Sequence, residues 1–358
     1  MNAMKNVLNK FKNMNKTTKT NTITYLIVVV TFLVMQTLVA TGNISSLMQG
    51  LLVPVCVYTI AAISLNLVVG ISGELSLGHA GFMCVGAYAS SFFSVLVKDT
   101  MPEMIRFPLA ILIGAVVAAV FGILIGIPVL KLKGDYLAIV TLAFGEIIKN
   151  LMNIVYVGSD SNGLHFSTTD AAALNMEADG RVIVKGALGI TGTPKDSSFT
   201  VGVILILITL FIVLNLINSR SGRAIMAIRD NRIAAESVGI NITKYKLMAF
   251  SISAALAGVA GVLYAHNLAT LTVKKFDYNT SILILVFVVL GGIGNIRGSM
   301  ISAVILTLLP ELLRGLSDYR MLIYAIVLIA MMLFNWAPAA ITWKEKMKEK
   351  IKGKKEAE

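Results

Sequence analysis

Long apolar stretches separated by short polar segments dominate this chain. A helix needs about 20 apolar residues to cross a bilayer, and 56% of the 358 residues are hydrophobic whereas only 14% are charged. Because soluble domains carry about 25% charged residues, most of the chain must face lipid or other apolar helices. The sequence therefore predicts an all-α polytopic membrane protein with about ten transmembrane helices. The predicted helices span residues 22–40, 48–70, 75–97, 108–130, 136–157, 200–217, 247–266, 280–292, 299–313 and 321–336.

Basic residues lie mainly at the ends of these stretches. The formal net charge is +12, and lysine and arginine are concentrated in residues 1–21, 218–246 and 337–358. The positive-inside rule places these segments, and hence both termini, in the cytoplasm, where anionic lipid headgroups attract basic tails. This distribution argues against a nucleic-acid partner. We therefore predict a basic N-terminal tail (1–21), a transmembrane domain (22–336) and a basic C-terminal tail (337–358).

The 218–246 loop is a polar interruption between two apolar stretches, but it is not a simple linker. Its apolar residues recur at helical spacing, which predicts an amphipathic helix. Asp230 or Asn231 can cap the start of that helix, and Gly239 suits the position just after its end. A membrane protein that keeps such a helix between two spans usually has a surface on which it docks. The loop therefore predicts a cytoplasmic partner.

Three polar residues fall at membrane depth, where ionisable side chains are costly and often functional. Glu146 and Lys149 are three residues apart on one helix, so they either line a translocation path or gate, or neutralise each other within the bundle. His79 either belongs to the same path or donates a hydrogen bond to a neighbouring helix. No metal-ligand spacing, nucleotide-binding loop or catalytic constellation occurs in the sequence. We predict no metal, no cofactor and no enzymatic activity.

Small residues and glycines predict how the helices pack. Gly122 and Gly126 form a small-xxx-small pattern, and residues 254–261 hold further alanines and glycines, which permit close helix approach. The glycine-rich segment 291–298 predicts a break, so residues 280–313 form either two spans or one broken element. The 158–199 segment is the largest one predicted outside the membrane on the external side. It either folds over the outer mouth, with a strand at residues 182–184, or is a disordered connector.

Several motifs, taken in order, resemble one family. They are LNLVVGISGELSLGHAGF (65–82), KGDYLAIVTLAFGEII (133–148), NGL (162–164), SRSGRA (219–224), RDNRIAAESVG (229–239) and GGIGNIRG (291–298). The chain resembles the LivM-type permease of bacterial branched-chain amino acid ABC importers, in the hydrophobic amino acid uptake class. The likeness covers residues from about 60 to 330. It departs from the family pattern where VGSDS (157–161) replaces a common Thr-Gly-Gly run.

The resemblance implies a multi-pass protein of the bacterial cytoplasmic membrane that works with other subunits. They are a LivH-type sister permease, two ABC ATPase subunits that hydrolyse ATP, and an extracytoplasmic amino-acid binding protein. In such importers a cytoplasmic loop docks in a groove on the ATPase. The residues that match this ATPase-coupling loop are Arg223, Arg229, Asp230, Ala234, Ala235, Glu236 and Gly239.

Two other functions are compatible with the same pattern. A permease of this architecture could carry a sugar, urea or a short amide instead of an amino acid. An ion-coupled secondary transporter is the second alternative, with Glu146 and Lys149 in the coupling chemistry. Inverted repeats would favour the latter, and the sequence shows no convincing one.

Overall fold

The fold was obtained as a computed structural model that describes residues 16–132, 134–177, 180–314 and 319–336. Residues 1–15 of the predicted N-terminal tail, and the whole predicted C-terminal tail, lie outside the described residues. The described chain is mostly helical. Its α-helices are α1 Lys16–Ala40, α2 Ser46–Asn66, α3 His79–Leu96, α4 Glu103–Val129, α5 Asp135–Ile154, α6 Phe199–Asn218, α7 Arg220–Asp230, α8 Arg232–Ser237, α9 Ile242–Ala265, α10 Tyr278–Gly291, α11 Ile296–Leu312 and α12 Arg320–Trp336.

Seven of the described helices are long and apolar enough to cross a membrane: α1, α2 with its continuation to Ser72, α3, α4, α5, α6 and α9. The last three predicted spans correspond to α10, α11 and α12, which have only 14, 17 and 17 residues. The Gly-rich segment does break the chain, because Gly292 and Gly294 both have positive φ. Residues 280–313 are therefore two short helices joined by a turn.

Helix α9 lies at the centre of the bundle and packs against α2, α3 and α4. Its contact with α4 depends on small residues. A methyl group added at Gly258 would lie 2.5 Å from the Ala118 Cβ atom, and one added at Gly122 would lie 2.6 Å from the Ala254 Cβ atom. Such spacing leaves no room for a larger side chain and gives the two backbones close contact. The predicted small-residue packing is confirmed.

The chain between α2 and α3 departs from the predicted boundaries. Helix α2 continues as a π-helical turn, Leu67–Ser72, and Gly73 ends it with a φ of 74°. Helix α3 starts at His79, four residues later than predicted, since residues 73–78 have no regular structure. Two amides near this start bond to side chains: Leu77 donates to Thr141 Oγ1 and Ala80 to Ser281 Oγ, each at 3.0 Å. Irregular backbone within a membrane protein needs such partners.

The 158–199 segment is folded, so the prediction of a purely α-helical protein was wrong in this part. Five strands form an antiparallel sheet in the order β2-β1-β3-β4-β5. They are β1 Tyr156–Asp160, β2 Gly163–Ser167, β3 Arg181–Lys185, β4 Ile190–Thr191 and β5 Thr270–Leu271. The predicted strand at residues 182–184 lies in β3. Ile183, Ile190 and Leu271 are buried within the main core, which attaches the sheet to the helices.

A buried ion pair fixes this end of the bundle. Arg106, on the first turn of α4, donates two hydrogen bonds to Asp196 Oδ2 and one to Oδ1, at 2.8–3.1 Å. The two side chains are 9% and 5% exposed. A bidentate geometry of this kind compensates for the desolvation of both charges. It holds the end of the 158–199 segment against α4.

Candidate functional site

The 218–246 loop forms two short helices rather than the one amphipathic helix predicted. Each of α7, α8 and α9 begins at a side-chain cap, formed by Ser219, Asn231 and Asn241 respectively. Asn231 separates α7 from α8 with an extended φ of −153° while its Oδ1 accepts from the Ala234 amide at 3.1 Å. The predicted cap is therefore Asn231 and not Asp230. A cap at each break satisfies the amides that a helix start leaves free.

Helix α7 is held against the transmembrane helices by its apolar side. Ile225 is 1% exposed and packs in a cluster with Leu67, Ile71 and Ala249. Ile228 is 3% exposed and packs with Ala235 and Ile242. The apolar periodicity that predicted a helix is thus used within this chain for α7. Arg223 lies on the other side, where it donates to the Asn218 carbonyl oxygen at 3.1 Å.

Helix α8 presents its apolar side chains outward. Ile233 is 81% exposed and Val238 is 75% exposed, and Ala234 and Glu236 are also exposed, whereas Ala235 is buried. After α8, Gly239 has a φ of 83° and donates its amide to the Glu236 carbonyl oxygen at 3.0 Å. This confirms the predicted position of Gly239 just past a helix end. We call the exposed residues Ile233, Ala234, Glu236 and Val238 the α8 surface.

Arg229 connects α7 to the π-helical turn. Its Nη1 atom donates to the Gly70 carbonyl oxygen at 2.9 Å, and its Nη2 and Nε atoms donate to Asp230 Oδ1 at 2.9 and 3.1 Å. A methyl group added at Gly73 would lie 2.6 Å from the Arg229 Cγ atom. Glycine at position 73 therefore leaves the space that the arginine stem occupies. The loop and the end of α2 are joined by a charge-assisted hydrogen bond.

A cavity of about 290 Å³ opens beside α8. It is lined by residues from three parts of the chain, among them Glu74, Gly134, Arg232 and Lys246. Glu74 and Lys246 form an ion pair there, and their side chains are 12% and 10% exposed. Arg232 has no ion-pair partner among the described residues, so it gives the mouth of the cavity a positive charge.

His79 and the Glu146–Lys149 pair lie within the helical bundle. His79 is 2% exposed, and its Nε2 atom is 2.5 Å from Ser64 Oγ on α2. The alternative of a hydrogen bond to a neighbouring helix is confirmed. Glu146 and Lys149 form an ion pair at 2.5 Å, as expected for mutual neutralisation. Glu146 also accepts a hydrogen bond from the Tyr278 amide at 3.2 Å, which brings α5 to the start of α10.

Glu146 lines a crevice between α3, α5 and the start of α10 that has no space for a water molecule. The crevice is also lined by Leu77, Leu142, Phe276 and Asp277. Among the described residues no group of three potential metal ligands is present. The three predicted membrane-depth residues are thus not brought together in one site, since His79 bonds to α2 while Glu146 faces α10.

Sequence reasoning missed the residues that join distant elements. Asn66 is fully buried; its Oδ1 accepts from the Gly294 amide at 2.9 Å and its Nδ2 donates to Ser299 Oγ at 2.7 Å. The signal in the sequence was a single asparagine inside an apolar span, a position where a polar side chain needs a partner. The partner lies 228 residues away, which no local pattern reveals.

Comparison with known proteins shows which sequences this chain resembles. The family described as branched-chain amino acid transport system / permease component matches residues 47–334. The high-affinity branched-chain amino acid transport system permease protein LivM of Salmonella typhimurium and that of Escherichia coli are each 34% identical over 300 residues, covering 80% of this chain and 67% of the relative.

A more distant relative has another cargo in its name. The ribose import permease protein RbsC of Escherichia coli is 25% identical over 78% of this chain and 82% of its own length. No solved structure matches the chain significantly. The match to the permease model covers most of the chain, including every helix from α2 to α11 and most of α12. The chain therefore belongs to the branched-chain amino acid transport system / permease component family, whose members are multi-pass membrane proteins.

Proposed function

We propose that this chain is the permease subunit of an ATP-driven importer of branched-chain or other hydrophobic amino acids. The LivM relatives at 34% identity support the substrate class. The observation that carries the ATP-driven part is the α8 surface, where Ile233 and Val238 are 81% and 75% exposed on a loop between two spans. Exposed apolar side chains at a capped, ordered helix favour docking on a partner.

The proposed topology has ten spans, with both termini in the cytoplasm. Helices α10, α11 and α12 then cross the membrane as short elements, and local thinning of the bilayer accommodates their length. The 218–246 loop lies in the cytoplasm, and the 158–199 segment with its sheet lies on the external side. The positive-inside distribution of lysine and arginine supports this assignment.

The α8 surface is the proposed docking site for an ATPase subunit. Ile233 and Val238 would enter an apolar groove on the ATPase, as amphipathic helices do in groove recognition. Glu236 lies between them, and Gly239 ends the helix without a side chain. Arg232 at the cavity mouth favours an acidic residue on the partner. The remaining loop residues, Arg223, Arg229 and Asp230, fix α7 so that the docked helix transmits force to α2 and α9.

The proposed translocation path runs between this chain and its sister permease. Glu146 and Lys149 would border this path, beside a crevice lined by the apolar residues Leu77, Leu142 and Phe276. The crevice has no space for a water molecule, so it would admit an amino acid only after the helices separate. His79 contributes by holding the start of α3 against α2. An extracytoplasmic binding protein would deliver the substrate to the external sheet.

A permease for a sugar is the second candidate, because the ribose import permease matches 78% of this chain. ATP hydrolysis by the assembled complex in lipid nanodiscs distinguishes the two. We expect stimulation by the amino-acid binding protein loaded with leucine, and none by that protein without ligand or by a ribose-loaded ribose-binding protein. Stimulation by the ribose-loaded ribose-binding protein and not by the leucine-loaded protein would favour the sugar permease. Failure of any ATPase subunit to assemble with the chain would refute both and favour an ion-coupled transporter.

A further inference from the structure

The π-helical turn Leu67–Ser72 is a shared element between two otherwise separate parts of the molecule. All six of its residues are buried. π-turns are rare in helices and are often found at functional sites. On one side Leu67 and Ile71 pack on Ile225 of α7. On the other side the turn contacts the segment that joins α10 to α11, at Gly294.

The contact with α7 is polar as well as apolar. Arg229 donates to the Gly70 carbonyl oxygen at 2.9 Å, while Asp230 holds the other edge of the guanidinium group. Arg229 thus binds the backbone of the π-helical turn at one point, so a displacement of α7 would be transmitted to Gly70. The two residues are 159 positions apart in the chain, so this contact is a tertiary one.

The contact with the α10–α11 turn is equally close. A methyl group added at Gly70 would lie 2.3 Å from the Gly294 backbone nitrogen and closer still to Asn66 Oδ1, so no side chain larger than that of glycine fits at position 70. Asn66, one helical turn before Gly70, accepts a hydrogen bond from the Gly294 amide and donates one to Ser299 Oγ. The two glycine backbones are in contact, and the buried asparagine bonds to one of them. The π-helical turn and the α10–α11 turn therefore have little freedom to move relative to each other.

We propose that Arg229, Gly70, Asn66 and Gly294 form a mechanical relay that carries a displacement of the coupling loop to the α10–α11 turn. Asn66 is the positioning residue at its centre. This inference rests on the proposed function, because the displacement originates where an ATPase moves α8. The α10–α11 turn would lie on the cytoplasmic side in the proposed topology, so the relay gives ATP binding a route to the inner ends of α10 and α11.

The relay is tested with pairs of spin labels in the complete complex, with and without a non-hydrolysable ATP analogue. One pair joins Ser237→Cys to Leu188→Cys, and reports movement of α8. The other joins Ile293→Cys to Leu188→Cys, and reports movement of the α10–α11 turn. Ser237 is exposed and is not part of the α8 surface, and Leu188 and Ile293 are 68% and 51% exposed. The two native cysteines are buried and do not take the label.

Asn66→Ala and Arg229→Gln each remove one hydrogen-bonded step of the relay. We expect the nucleotide-dependent population shift at Ile293 to fall roughly fivefold in Asn66→Ala, the factor that one neutral hydrogen bond commonly contributes. In Arg229→Gln it falls roughly tenfold, because the bond that is lost is charge-assisted. The shift at Ser237 persists in both. Arg229 is partly exposed, so its variant tests the relay even if Asn66→Ala does not fold. Arg220→Gln is the matched control on the same helix, because Arg220 is exposed and none of the described hydrogen bonds or ion pairs of the relay involves it, and it leaves both shifts unchanged.

Two results would overturn the proposal, and they have different meanings. An undiminished shift at Ile293 in Arg229→Gln or Asn66→Ala would refute the relay and leave the ATP-driven function intact. The absence of any nucleotide-dependent shift at Ser237 in the protein with Asn66 and Arg229 unchanged would refute the proposed function, and the relay with it.

Discussion

Replacing the two apolar residues of the α8 surface separates docking from folding. In the double variant Ile233→Ser, Val238→Ser, the side chains removed are 81% and 75% exposed, so they contribute little to the core. Exposed substitutions usually change the free energy of unfolding by less than about 0.5 kcal/mol. We therefore expect the permease to insert in the membrane and to melt at the same temperature as the unmodified protein.

The affinity for the ATPase is expected to change much more. Full burial of an isoleucine or valine side chain stabilises by about 1.5–3 kcal/mol, and about three-quarters or more of each side chain is available for burial by a partner. The two together would contribute about 2–4 kcal/mol to docking. At about 1.4 kcal/mol per tenfold, the double variant binds the ATPase roughly 30-fold to 700-fold more weakly.

The assay is the equilibrium affinity of the ATPase subunit for the permease in nanodiscs, with thermal unfolding measured on the same samples. Leu188→Ser is the control, since Leu188 is 68% exposed on the 158–199 segment and is removed from the loop in the proposed topology. Its affinity for the ATPase is expected to match that of the unmodified protein. A double variant that is folded and binds within twofold of the unmodified protein would refute the docking argument.

Three further predictions concern single residues. Glu236→Lys and Gly239→Asp leave the protein inserted but uncouple uptake from ATP hydrolysis, the latter because aspartate at a φ of 83° is strained; normal uptake in both would contradict this. Gly258→Val overpacks the α4–α9 contact and lowers the free energy of unfolding by about 1–3 kcal/mol, whereas Gly50→Val, which meets nothing within 4 Å, changes thermal stability far less. Burial alone would raise the pKa of Asp160, but hydrogen bonds from the Glu177 amide, His165 and the Asn162 amide hold this pKa below its ordinary value. The stabilisation of the folded 158–199 segment is therefore present above pH about 4 and is lost as the pH falls through the lowered folded-state pKa. Proteolysis of the segment at different pH values detects this loss, and Asp160→Asn abolishes the pH dependence.

Local patterns in the sequence predicted the features that depend on local physics. Small residues at positions 122, 254 and 258 do lie at a helix contact, because only small side chains permit that approach. Asn231 occupies the cap position that its side chain suits, and Gly239 occupies the position after a helix end, where the absence of a side chain permits a positive φ. The buried asparagine at position 66 and its partner Gly294 were not predicted, since a contact across 228 residues leaves no local periodicity.

The sheet and the loop show where the local patterns misled. Only the strand containing residues 182–184 carries the β-branched run that signals a strand. Strands β1 and β2 hold glycine and serine, and β4 and β5 have only two residues each, so the protein was predicted to be all-α. In the 218–246 loop one amphipathic helix was predicted, with its start capped by Asp230 or Asn231; α8 has that position, and α7 before it is a second helix. The split matters because α7 buries its apolar side on this chain and α8 leaves Ile233 and Val238 exposed.

The central claim is that ATP hydrolysis drives an amino acid across the membrane through this chain. It is tested most directly by leucine accumulation in proteoliposomes that contain the chain, its sister permease, the ATPase subunits and external binding protein. The account predicts accumulation only when ATP faces the 218–246 loop and binding protein is present, and no effect of collapsing ion gradients. Accumulation that ignores ATP and follows a proton or sodium gradient would contradict it and would move attention to Glu146 and Lys149.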